Sequence, residues 1–223
     1  MTATLEARGL EHSFGATPAL RGVDLSIDEG EVVAVMGPSG SGKSTLLHLL
    51  AGVFVPDLGT VTYRGREINS LDEADRAQLR LREFGFVFQF GQLLPDLSAE
   101  DNVSIPLLLA GRPRRAALAA ARTQLQRLGL ADQREKLPSQ MSGGQAQRVA
   151  VARALVAEPR ILFADEPTGS LDSLAAEQTL AVMLELARES GSTVVLITHD
   201  PRTAAHADRD ITVRDGRLTG AGL

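Results

Sequence analysis

The sequence has no cysteine and no tryptophan, and its aromatics are one tyrosine and seven phenylalanines in 223 residues. Without thiols it can form neither a disulfide nor a thiolate metal site. With aromatics at 4%, the core is expected to be aliphatic, and hydrophobic residues at 43% against 23% charged supply one of good size. Long apolar runs are missing too. The best, residues 46–55, contains His48 and falls well short of the about 20 residues a bilayer demands. The opening Met1-Thr2-Ala3-Thr4-Leu5-Glu6 lacks the basic and apolar regions of a signal peptide. Positive charge is also scarce: the formal net charge is −5, which argues against a broad nucleic-acid footprint. No internal repeat and no low-complexity linker occurs. The expectation is one large domain, or a core with an inserted subdomain, soluble and cytoplasmic.

What the chain does have is a glycine-rich stretch, Gly37-Pro38-Ser39-Gly40-Ser41-Gly42-Lys43-Ser44-Thr45. It fits the pattern Gly, four residues, Gly-Lys-Ser/Thr. Its three glycines let successive backbone N–H groups turn inward as an anion nest. Lys43 adds a point charge for β- and γ-phosphates, and Ser44 offers a hydroxyl to Mg²⁺. The flanks agree: residues 31–36 read as a buried strand and residues 44–51 as a helix whose N-terminus faces the loop.

Residues 5–14, 23–27 and 59–63 alternate as strands, suggesting a small antiparallel sheet beside the main one. Two readings of Phe14 stay open here, an adenine-stacking ring and a buried strand phenylalanine. Ser70-Leu71-Asp72-Glu73 has the spacing of a capping box, so a helix should run to about Arg82. Residues 85–89 read as a buried strand that ends at Gln89. Ligands of parallel sheets sit at strand carboxyl ends, so the Gln89 amide is placed for Mg²⁺ or an attacking water, or is an ordinary loop entry. Between Leu93 and Gln140 strand signals vanish. Leu118, Ala121, Leu125 and Leu128 form a helical stripe, with Arg114, Arg115, Arg122 and Arg127 on the other face. Those arginines form either a solvated face or one that meets a membrane or an acidic partner. The adjacent Leu93 and Leu94, flanked by Pro95 and Asp96, either expose one leucine or bury both in a loop.

Ser142-Gly143-Gly144-Gln145 opens another helix, with Ser142 and Gln145 as a capping box. Two adjacent glycines are costly in a helix and bare its first N–H groups, which makes a second phosphate site. One nucleotide has little use for two cradles in a single chain, whereas two copies head to tail would use both. Residues 161–164 form a buried strand ending in Asp165-Glu166-Pro167. Asp165 is placed to hold Mg²⁺, and Glu166 to polarise a water as general base. A helix over residues 173–190 and a strand over residues 193–198 follow, the latter ending at His199, within reach of a γ-phosphate. His12, His48 and His206 have no evident partner in sequence. Asp215-Gly216 should turn a hairpin.

Over nearly its whole length the chain now resembles the ATP-binding-cassette ATPases. Met141-Ser142-Gly143-Gly144-Gln145 is close to the Leu-Ser-Gly-Gly-Gln signature that separates this family from other phosphate-loop proteins. Gln89 matches its Q-loop, Ile161 to Glu166 its Walker B strand with the catalytic glutamate, Ser170-Leu171-Asp172 its D-loop and His199 its switch histidine. Phe14 stands where the family has an adenine-stacking aromatic. Residues 85–89 with Leu93-Leu94-Pro95, and residues 164–172, resemble the macrolide-export and lipoprotein-release subgroup. Met141 for Leu and Ala146 after Gln145 depart from the pattern without removing a catalytic group. The resemblance implies an α/β phosphate-loop core, residues 1–89 and 157–223, with a small antiparallel β subdomain and a helical subdomain at about 90–156. It implies ATP and Mg²⁺ as ligands, with Ser44, Gln89 and Asp165 around the metal. It also implies a head-to-tail dimer closing over two ATP molecules. Each ATP would lie between residues 37–45 of one copy and Ser142 to Gln145 of the other. It further implies a separate membrane permease that would complete the assembly and hold the chain at the inner face of the membrane. No nucleic acid is expected.

Other classes fit less well. A guanine-specific switch needs Asn-Lys-x-Asp, and the only asparagines, Asn69 and Asn102, do not precede Lys. A chromosome-organising or DNA-repair cassette needs a long coiled coil between Lys43 and Ser142, and no sustained heptads occur there. A translation-associated cassette protein normally has two phosphate loops in one chain. Mechanical signalling across a membrane remains beside transport as the work performed.

Overall fold

The structure is a computed structural model that describes residues 3–219. The chain forms two compact units, one made of the residues up to Arg80 and from Thr193 onward, the other of Leu81–Ser192. In chain order the elements are β1 (Ala3–Phe14), β2 (Thr17–Asp28), β3 (Val32–Met36), α1 (Lys43–Leu50), β4 (Leu58–Tyr63), β5 (Arg66–Glu67) and α2 (Glu73–Glu83). Then come β6 (Phe84–Phe88), α3 (Ala99–Leu109), α4 (Arg114–Arg127), α5 (Gly143–Leu155), β7 (Ile161–Asp165) and α6 (Ser173–Glu189). The chain closes with β8 (Thr193–Ile197), α7 (Pro201–Ala204), β9 (Arg209–Arg214) and β10 (Arg217–Thr219).

In the first unit β1 pairs antiparallel with β2 and with β4, giving the order β2-β1-β4-β5, which is the small antiparallel sheet the alternation suggests. In β2, Leu20, Val23, Leu25 and Ile27 turn inward and the residues between them stay largely exposed. The second layer is of the other kind. β3 lies between β8 and β9 and runs parallel to both, with Val33 opposite Val195 on one side and Arg209 on the other. Val32 to Val35 and Thr193 to Ile197 are buried without alternation, as strands covered on both faces must be. β9 and β10 form the hairpin, turned by Asp215 at φ 51° and Gly216 at φ 75°.

The helix after β5 starts later than the capping-box spacing predicts. Asp72, not Ser70, accepts the Asp75 N–H at 2.8 Å, while the Ser70 hydroxyl donates to the Glu67 carbonyl at 3.2 Å. A carboxylate is the stronger partner for a helix N-terminus, and it sets the start. α2 buries no residue. Arg80 and Arg76 bond Glu73 across its surface and hold that carboxyl below its ordinary pKa.

In the second unit β6 and β7 run parallel, with Phe84 opposite Ile161 and Phe88 opposite Asp165. The core here is not purely aliphatic, contrary to the compositional expectation. Phe84 meets Phe163 edge-on at 5.3 Å, and Phe86 stacks on Phe163 at 5.6 Å. The few aromatics are concentrated where the strand pair needs bulk. Ala117, Ala121, Leu125 and Leu128 line the buried side of α4, while Leu118 is only half buried. Arg114 pairs with Asp101, Arg122 with Glu100 and Arg127 with Glu189. The Glu100 carboxylate raises the Arg122 pKa further. The basic stripe is thus largely neutralised within the unit.

β6 and α5 touch through Gly85, where a Cβ would lie 2.5 Å from the Ala154 carbonyl oxygen and 2.9 Å from Pro159 Cγ. Gly85→Ala is therefore expected to lower stability by about 2 kcal/mol, read as a reduced denaturant midpoint. An unchanged midpoint would contradict this backbone approach.

Candidate active site

In the first unit β3 delivers the chain into the glycine-rich loop. Gly37, Gly40 and Gly42 have φ of 140°, 75° and 107°, which ordinary side chains avoid. A Cβ on Gly37 would overlap the Val213 carbonyl oxygen, and one on Gly42 would lie 2.5 Å from the Ala19 carbonyl oxygen. The loop is shaped by its contacts as well as by its freedom. Pro38, Ser39 and Gly40 are exposed, and Thr45 is half buried in the first turn of α1. Lys43 is buried at 7% exposure, and its ammonium donates to the carbonyls of Gly37 and Pro38 at 2.8 and 2.9 Å. Two neutral carbonyls solvate the cation without cancelling its charge. The buried Ser41 hydroxyl has no hydrogen-bond partner among the described residues, and Ser44 is exposed on the first turn. α1 begins with no side-chain cap and no acidic residue in its first turn. Its first N–H groups and dipole are left for an anion.

Phe14 and His199 belong to the same unit. Phe14 is 53% exposed, so the buried-phenylalanine reading fails. Its ring stands on a small platform: His12 lies edge-on at 5.0 Å and Phe54 edge-on at 5.9 Å. His12 stacks on Phe54 at 5.7 Å with Nδ1 3.7 Å from Asp57, and His48 meets Phe54 at 5.1 Å. Two histidines without evident partners in sequence thus support an aromatic cluster. His199 is exposed just beyond β8.

In the second unit β7 ends in Asp165 and hands over to Glu166, both half buried. Glu166 has φ 47°, a left-handed conformation that costs a non-glycine residue roughly 1–2 kcal/mol. The turn is closed by the Gly169 N–H donating to the Glu166 carbonyl at 3.0 Å. The following loop rests on Gln89. Ser170 Oγ donates to the Gln89 carbonyl at 2.9 Å, and a Cβ on Gly169 would lie 3.0 Å from Gln89 Nε2. The parallel register of β6 and β7 brings Gln89 and Glu166 to the same strand ends.

α5 starts as its sequence predicts. Ser142 Oγ accepts the Gln145 N–H at 3.2 Å, and Gln145 Oε1 accepts the Ser142 N–H at 3.0 Å. An open depression of about 430 Å³ is lined by Ser142, Gly143, Gly144, Gln145, Ser170 and Asp172, among others. Cβ atoms on Gly143 and Gly144 would make only ordinary contacts, 3.9 Å to Leu171 and 3.4 Å to Ala175. Packing does not require these glycines.

Three residues around the site escaped the sequence reading. Gln147, 2% exposed, donates through Nε2 to the Phe88 carbonyl at 2.9 Å and the Pro167 carbonyl at 2.6 Å. Arg153 donates to the Gly91 and Gln92 carbonyls at 2.7 and 2.8 Å, and burial pushes its guanidinium below the usual pKa. Asn102, fully buried, accepts the Leu94 N–H at 2.8 Å and donates to the Leu94 and Leu97 carbonyls at 3.0 Å each. Their only signal in the sequence was a polar residue among inward-facing helix positions.

The profile of the family described as "ABC transporter" matches residues 20–169. The lipoprotein-releasing system ATP-binding protein LolD of Porphyromonas gingivalis is 45% identical over 214 residues, covering 96% of this chain and 98% of that protein. The macrolide export ATP-binding/permease protein MacB of Shigella flexneri is 46% identical over 222 residues, which are 98% of this chain but 34% of that protein. Among solved structures, the dimeric post-hydrolysis state of the ATP-binding cassette MJ0796 with ADP and Pi superposes with a TM-score of 0.89 at 37% identity, covering 97% of both chains.

The Gly42→Ala substitution puts a side chain into left-handed backbone facing the Ala19 carbonyl. It is expected to cost at least about 1 kcal/mol and to lower the thermal midpoint of unfolding. A variant that melts like the parent would show that the loop tolerates a Cβ.

Proposed function

The chain belongs to the ABC transporter family of ATPases, and from that membership we propose that it is the ATP-hydrolysing subunit of a transporter of the lipoprotein-release and macrolide-export type. Among the described residues no helix is long and apolar enough to cross a membrane. The spanning part is assigned to a partner chain, which would hold this subunit at the inner face of the membrane. The observation that carries the reading is the start of α5. Its two glycines meet no internal packing demand, are poor helix formers, and open a depression at a helix N-terminus. A second copy presenting a bound nucleotide accounts for them.

The first unit fits a triphosphate. Among the described residues the Lys43 ammonium bonds the Gly37 and Pro38 carbonyls, the buried Ser41 hydroxyl has no partner, and the first turn of α1 carries no acid. The loop over residues 37–45 cradles the phosphates with its N–H groups, and Phe14 stacks on the adenine from its aromatic platform. By the family resemblance, Ser44, Gln89 and Asp165 would supply hard oxygen donors for Mg²⁺, which when bound would neutralise phosphate charge. Glu166 orients the attacking water and accepts its proton, and His199 steadies the γ-phosphate. Ser142, Gly143, Gly144 and Gln145 of a head-to-tail second copy close over the nucleotide. Residues 90–156 act as one helical arm that carries this second cradle.

The arm also presents apolar surface. Phe90, Leu94 and Leu109 are 77%, 48% and 69% exposed. We assign Leu93 to Leu97 and its surroundings to a groove for a short cytoplasmic helix of the membrane subunit, an amphipathic helix laid in a groove. Asn102 holds the Leu94 backbone from both sides, so the half-exposed side chain is free to serve contact instead of stability.

Glu166→Gln keeps the shape and removes the base. It is expected to slow ATP hydrolysis at least about 100-fold and to trap a dimer on size exclusion with ATP and Mg²⁺. Normal hydrolysis would remove Glu166 from the role of base, and a strictly monomeric variant would count against the shared site. Leu94→Asp is expected to reduce co-purification with the membrane subunit while leaving ATP binding intact. Full retention of the partner would sink the groove assignment.

A further inference from the structure

We propose that Gln147 and Arg153 are positioning residues that clamp the segment around Gln89 onto α5, so that the start of α5, the exit of β7 and the Gln89 loop move as one body. Gln147 lies two residues beyond Gln145. It spends both amide hydrogens on carbonyls from two different segments, Phe88 just before Gln89 and Pro167 just after Glu166. A buried amide needs partners, but burial alone does not require one donor to bridge two chain segments. Arg153 sits six residues further on, about 9 Å along the helix axis. Among the described residues its guanidinium meets no carboxylate and holds the carbonyls of Gly91 and Gln92.

The two anchors bracket Gln89. Phe88 is fixed on one side and Gly91-Gln92 on the other. The backbone between them is narrowly determined: Gly91 has φ 67° and Gln92 φ 49°. A Cβ on Gly91 would lie 3.3 Å from Ala150 Cβ and 3.3 Å from Gln147 Oε1, so the loop is pressed against α5 along its length. Phe90, at 77% exposure, projects its ring from the bracketed turn into solvent. A push on Phe90 therefore reaches the helix whose first turn is Ser142 to Gln145, and through Pro167 it reaches the backbone next to Glu166. Gln147 touches neither nucleotide nor water in this scheme. It sets where Gln89 and Glu166 stand relative to each other.

The kinetic part of the test rests on the ATPase reading above, and the exchange part does not. Gln147→Met keeps the side-chain length and removes both donors. Amide hydrogen exchange in peptides covering residues 88–92 is expected to accelerate, while exchange in α6 stays as in the parent. The same full-length variant is expected to lose about tenfold in kcat with KM for ATP within about twofold. Arg153→Lys, which keeps a cation but loses the planar fork, is expected to retain more kcat than Arg153→Met. Unchanged exchange at residues 88–92 would overturn the clamp, and so would acceleration spread evenly over the second unit. A fall in kcat matched by a rise in KM would overturn the positioning role. If the parent chain hydrolyses no ATP, the ATPase reading fails while exchange at residues 88–92 still decides the clamp.

Discussion

A helix can offer a ligand only those first-turn N–H groups that no internal acceptor takes, and two helices here leave such groups open. α1 is entered through Gly42 in a left-handed conformation, without a cap or an acidic first turn. α5 is capped by Ser142 and Gln145 on each other, yet its next two residues are glycines that nothing inside the unit requires. The surrounding architecture serves these two ends. β3 is buried on both faces so that it can deliver the loop rigidly, and the second unit packs its helices so that the α5 N-terminus stays open. The energetic cost of leaving such donors and the Lys43 charge without counter-charge would be offset by the polyanion proposed to bind there.

The second unit stores a different cost. Glu166 is held left-handed, and a residue of that type stays there only if its neighbours over-determine it. The Gly169 N–H, the Ser170 hydroxyl on Gln89 and the Gln147 amide on Pro167 are those neighbours. The same three contacts tie the general base proposed here to the loop that carries Gln89. Strain, positioning and the proposed signal to the partner therefore run through one small set of backbone carbonyls.

Motifs that depend on neighbours in sequence were legible in the chain before any coordinates. The loop from Gly37 to Thr45 announces its glycines because positive φ is a local requirement. The Ser142–Gln145 box announces its helix because the reciprocal bonds span three residues. The continuous apolar runs of β3, β7 and β8 announce strands covered on both faces. Family membership followed from those same stretches. The sequence misjudged places where several local partners compete, as when Asp72 displaced Ser70 as the cap of α2.

What the sequence could not decide are the contacts that close across long separations. Gln147 bridges carbonyls 59 and 20 residues away, and Arg153 reaches back 62 residues to Gly91. A glutamine at an inward helix position is chemically mute until the fold supplies two carbonyls at the right spacing. Phe14 is the mirror case: its strand alone left a buried and a stacking ring both open, and the exposure of the ring beside His12 and Phe54 decided between them. Local stereochemistry was written in the order of the residues. Which buried donor meets which distant acceptor was settled by tertiary packing, because the cost of an unpaired polar group is assessed in space and not along the chain.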